Sequence, residues 1–156
     1  MTESLTSPGA APVGHLQDLS ATGQLAVLCL RGLGRRESEL SKGLSAHFPS
    51  STVAALIARC DDLMQFLARY ARRPFMRHQP DCPCLGADEA AFAHLIDLTE
   101  TGEREDVLMF AMMLTRPDMA PCLLPLAEAF TLTLHRALAQ SRRTMGCPYH
   151  QSTHVH

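Results

Sequence analysis

The sequence predicts an all-α protein: a single bundle of five to six helices with disordered termini. Three observations carry that reading. Apolar residues make up 46% of the chain, yet Trp is absent and aromatics are only 5%. A core must therefore be built from Leu, Ala, Met and a few Phe, and the first three are strong helix formers. The Ile, Val and Thr that favour sheets are sparse. The longest patterned stretches also repeat every three to four residues, the period of a helix face.

A chain of 156 residues suits one domain and buries a core without disulfide staples. Residues 1–17 are rich in Ser, Gly, Pro and Ala and read as a flexible lead. Residues 18–140 form the expected α-helical domain. Residues 141–156 have no apolar period and read as a disordered tail containing Cys147, His150, His154 and His156.

The elements follow in order. Ser20 is placed to cap a helix through "GQLAVLCLRGL", which Gly34 could end. In "ESELSKGLSAHF", Leu40, Leu44 and Phe48 make a narrow apolar stripe, and Pro49 closes it. Ser50 or Ser51 can cap the third helix. Its inner face is Val53, Leu56, Ile57, Cys60, Leu63, Met64, Leu67, Tyr70 and Ala71, and Arg59, Asp61, Asp62, Gln65, Arg69 and Arg72 lie opposite. Pro74 must stop it. A fourth helix over about 87–100 opens on Asp88 and Glu89, acids suited to the positive end of the dipole. The fifth, "REDVLMFAMMLTR", is apolar almost all round from Val107 to Leu114, which predicts a central, buried helix. The last runs over about 119–140, with Pro121 tolerable in its first turn and Pro125 a kink or a later start. Short turns between the last three helices make them antiparallel neighbours, so the fourth and sixth should point the same way.

The formal charge of −2 offers no global field for nucleic acid or anionic membrane. The opening residues lack the apolar stretch of a signal peptide, and no run approaches a membrane span. A cytoplasmic protein with no membrane partner is expected, with its six cysteines mostly reduced.

The densest chemistry is "RHQPDCPCLGADEAAF", Arg77–Phe92. His78, Cys82 and Cys84 are soft and borderline donors that suit Zn²⁺, or Cu(I) where sulfur dominates. Cys122, at the start of the last helix, is the candidate fourth ligand, because a helix N-terminus favours a thiolate. The Cys-x-Cys step is tighter than usual zinc spacing. The plainer reading is a Pro-stiffened loop with unrelated thiols. Cys29 and Cys60 fall on apolar faces and read as core. The tail's Cys and His residues could chelate a metal, and Met109, Met112, Met113 and Met119 read as core filler rather than a thioether site. His47, His94 and His135 lie on helices without a paired acid in sequence and read as surface or half-buried.

No nucleotide-binding, zinc-protease or hydrolase motif is present, and no general base stands beside the proposed ligands. The expectation is a small regulatory or interaction protein, not an enzyme, with a structural or sensing metal-thiolate site and a protein partner. Two alternatives stand beside it. One is a helical DNA-binding regulator using the basic "RGLGRR" and "ARRPFMR" stretches. The other is a thiol redox switch built on Cys82, Cys84 or Cys122. Oligomeric state is not legible.

Overall fold

The structure, a computed structural model, describes residues 7–145. Among them are six α-helices: α1 (Ala21–Gly32), α2 (Glu37–Ser45), α3 (Ser50–Tyr70), α4 (Ala87–Thr101), α5 (Arg104–Leu114) and α6 (Ala120–Met145). The all-α bundle is what composition and period predict. None of these helices is long and apolar enough to cross a membrane.

Local chemistry starts and stops them. The Ser20 hydroxyl accepts from the Gly23 amide at 2.9 Å and caps α1 as expected. No side chain caps α3; Pro49 sits at that position instead of Ser50 or Ser51. Its inner face is as read: Val53, Leu56, Cys60, Leu63 and Leu67 are buried, with Ile57 and Met64 packed partly against them. Helix α6 runs through Pro125 without a break.

Side-chain contacts set the directions. Ser20 of α1 meets Asp97 of α4 at 2.8 Å, while Arg31 meets Glu89, so α1 and α4 are antiparallel. Phe92 packs on Phe130, and Glu100 reaches His135, so α4 and α6 are parallel. Thr52 of α3 bonds Gln140, and the Tyr70 carbonyl accepts from Arg116 just before α6, so α3 opposes α6. One end of the bundle thus gathers the C-termini of α1 and α3, the N-termini of α4 and α6, and the segment 71–86 that joins α3 to α4.

Three expectations are corrected. From Ser7 onward the lead is part of the fold. Pro12–His15 forms a strand, β1, antiparallel to Cys84–Gly86, β2, with His15 opposite Cys84. The helix that should end near Gln140 continues to Met145, so residues 141–145 belong to α6 and not to the tail. Helix α5 is not central. Val107, Ala111 and Leu114 are buried, but Met109 and Met113 are each 62% exposed. It packs chiefly on α4 and α6, which leaves its far side to solvent.

Candidate functional site

The loop that carries His78, Cys82 and Cys84 is built around a buried ion pair. Arg31, in the last turn of α1, and Glu89, in the first turn of α4, are both fully buried. The Arg31 Nε donates to Glu89 Oε1 at 2.8 Å and Nη2 donates to Oε2 at 2.9 Å. This is the bidentate geometry that makes Arg–carboxylate pairs strong and directional. The other guanidinium hydrogens go to the loop. Nη1 donates to the Gln79 and Cys82 carbonyls at 3.3 and 2.6 Å, and Nη2 to the Cys84 carbonyl at 2.6 Å. All the donors of the guanidinium are therefore used.

Glu89 is equally saturated. Besides Arg31 it accepts from the His78 amide at 2.9 Å and the Gly86 amide at 3.0 Å. The second of these satisfies the amide at the start of α4, as a glutamate three residues into a helix commonly does. Burial alone would raise the Glu89 carboxyl. The hydrogen bonds from Arg31, Gly86 and His78 outweigh it and hold the group below the usual range.

Neighbouring contacts brace the same loop. Asp88 takes both terminal nitrogens of Arg73 at 2.9 and 2.6 Å and the Met76 amide at 2.9 Å. Gly9 lies so close over this pair that a Cβ there would collide with both side chains. Arg77 donates to the Leu30 and Leu33 carbonyls at 2.8 and 2.9 Å, closing the C-terminus of α1. Among the described residues no buried side-chain nitrogen or oxygen lacks a partner.

Each expected site residue can now be placed. His78 faces carbonyl oxygens with both ring nitrogens: Nε2 lies 2.8 Å from Ala10 O and Nδ1 lies 3.3 Å from Cys84 O. A neutral imidazole carries one N–H, so it donates to one of these carbonyls at a time. Cys82 and Cys84 are half-buried and close enough to interact. The hydrogen bond with Cys82, then the repulsion between the two sulfurs, pushes the Cys84 thiol up. Cys122 stands at the expected end of the bundle, in the first turn of α6, but it is exposed. Among the described residues no three His, Cys, Asp or Glu side chains form a group that could hold a metal ion. The structure thus brings Cys82 and Cys84 together and does not bring His78, Cys82, Cys84 and Cys122 into one ligand set. The tail cluster of Cys147, His150, His154 and His156 lies outside the described residues.

Cys29 and Cys60 are core, as their positions predict. Burial pushes the Cys29 thiol up to about 12 and also raises Cys60. Neither is a ready thiolate at neutral pH. The basic stretches are largely spent within the protein. Arg31, Arg73 and Arg77 hold the loop, Arg36 faces Glu39, and Arg72 reaches the Met112 carbonyl.

The residues that organise the site, Arg31 and Glu89, are the ones sequence reading passes over. One signal existed. Arg31 follows Val27 by four positions and so continues the buried face of α1. Comparison of the chain with family models, curated proteins and solved structures found no match. The fold and site define a helical bundle whose two-thiol loop hangs on a buried Arg–Glu pair.

Proposed function

We propose that this is a small helical regulatory protein whose sensing element is the Cys82–Cys84 pair, cycling between dithiol and disulfide. The observation that carries the reading is that two half-buried free thiols, one residue apart, sit in a loop whose cysteine carbonyls are both pinned by Arg31. The Cys84 thiol is pushed up by its neighbour Cys82, so Cys82 is taken as the attacking group. With a peroxide as oxidant, Cys82 sulfur attacks one oxygen, the O–O bond breaks, and a sulfenic acid and one water result. Cys84 sulfur then displaces the second oxygen as water and closes the S–S bond. Two thiols lose two protons and two electrons, and one peroxide becomes two waters. An external dithiol reverses the step by exchange through a mixed disulfide. The carbonyls of both cysteines are bonded to Arg31, so closing this short ring strains the contacts between the loop and α1–α4.

The metal alternative best suited to two sulfurs is Cu(I), which soft thiolates select, rather than four-coordinate zinc.

Stoichiometric peroxide on reduced protein tests the proposal. The expected product loses the mass of two hydrogens, and its digest contains a Cys82–Cys84 disulfide that dithiothreitol reverses. Cys82→Ser and Cys84→Ser should each abolish it, and Cys122→Ser should not. Cys29 and Cys60 should stay unmodified in native protein. Oxidation that stops at sulfinic acid, or that joins other cysteines, overturns the reading.

A further inference from the structure

We propose that the cleft between α1 and α2 binds a small amphiphilic carboxylate, an aliphatic chain ending in an acid group. The cleft encloses about 520 Å³, within the range of small-molecule sites. Its apolar lining includes Leu25 and Leu28 of α1 and the stripe Leu40, Leu44 and Phe48 from α2 and the turn after it. That stripe is only partly consumed by the core. Leu44 is buried, while Leu40 and Phe48 are half-buried, and Leu28 remains 40% exposed. An aliphatic chain laid there removes apolar surface from water, the main source of affinity in such sites.

The rim chooses the head group. Arg36 and His47 line the cleft, opposed by one acid, Glu39. Glu39 touches Arg36 through a single 3.3 Å contact between side chains that are both more than half exposed. Such a pair is worth little in water. A ligand carboxylate can therefore replace Glu39 on the guanidinium in a bidentate arrangement. Gly43 also lines the cleft, and a Cβ built there meets nothing within 4 Å. A larger side chain at 43 would enter the cleft without disturbing the packing between helices.

The test uses reduced protein at pH 8, with decanoate below its micelle concentration and 1-decanol as the uncharged chain. Calorimetry and methyl NMR should show saturable one-to-one binding of decanoate, with shifts at Leu28, Leu40 and Leu44. Gly43→Leu should abolish binding while leaving the unfolding temperature unchanged or higher. Arg36→Gln should weaken decanoate by about tenfold, the scale of one charge-assisted hydrogen bond, and leave decanol unaffected. Absence of saturation, full binding to Gly43→Leu, or equal binding of decanol and decanoate overturns the proposal. None of these results depends on the thiol pair.

Discussion

Replacing Arg31 by Met removes the guanidinium and keeps an unbranched side chain of similar length. The Glu89 carboxylate would stay buried with only the His78 and Gly86 amides as donors. The Gln79, Cys82 and Cys84 carbonyls would lose their shared donor. Removing one partner of a buried ion pair costs about 3–5 kcal/mol, because the other charge is left uncompensated. The three carbonyls are only partly buried and can turn to water, so no further cost is added for them. In a domain of this size that loss lowers the unfolding midpoint by about 6–20 °C. Thermal and urea unfolding at pH 7, followed by circular dichroism, measure it. Arg36→Met is the control, since its exposed pair with Glu39 is worth about 0–1 kcal/mol. The double variant Arg31→Met/Glu89→Leu should recover only part of the loss, because the His78 and Gly86 amides lose their acceptor. If Arg31→Met costs no more than Arg36→Met, the loop does not depend on Arg31 and the account of the site fails.

Two further outcomes are expected. Leu63→Ala should cost about 2–5 kcal/mol, because Leu63 is fully buried on the inner face of α3. Arg59→Ala, which breaks only an exposed pair with Asp62, should cost about 0–1 kcal/mol, and equal losses in urea unfolding would mean the faces are misassigned. The Glu89 carboxyl is depressed on folding, so its contribution is complete above its ordinary value of 4.5 and is lost as pH falls through the lower folded value. Glu89→Gln should therefore flatten the acid limb of the stability–pH curve, and an unchanged limb in urea unfolding at pH 2–6 would refute that assignment.

What was legible in the sequence depended on how local its cause was. The inner face of α3 could be read because five turns of uninterrupted period point one way. The parallel course of α4 and α6 could be read from the short turns around α5. The depth of α5 could not. An apolar surface on all sides states a preference for burial, but only α4 and α6 are there to cover it, so Met109 and Met113 meet water. The strand at Pro12–His15 was invisible because its partner, Cys84–Gly86, lies far along the chain and neither segment alternates for long. At the candidate site the Cys82–Cys84 spacing read as too tight for zinc, and the influence of one thiol on the other comes from the folded loop. The setting of His78 was not legible, because its ring nitrogens lie beside the Ala10 and Cys84 carbonyls, which only the fold brings together. Arg31 was hidden among the other basic residues of "RGLGRR", although its place on the buried face of α1 sets it apart.

The Arg31–Glu89 pair also fixes when the loop can form. Its two members are 58 residues apart in sequence, on helices that must already lie side by side before the guanidinium and carboxylate can meet. Bringing such distant segments together costs chain entropy that local helix formation does not. Segment 71–86, whose carbonyls and amides wait on that pair, therefore takes its shape only after α1 and α4 have docked. A nascent or partly unfolded chain carries Cys82 and Cys84 as two ordinary thiols on a disordered strand of peptide. The arrangement of the two thiols thus rests on contacts that exist only where α1 and α4 lie side by side.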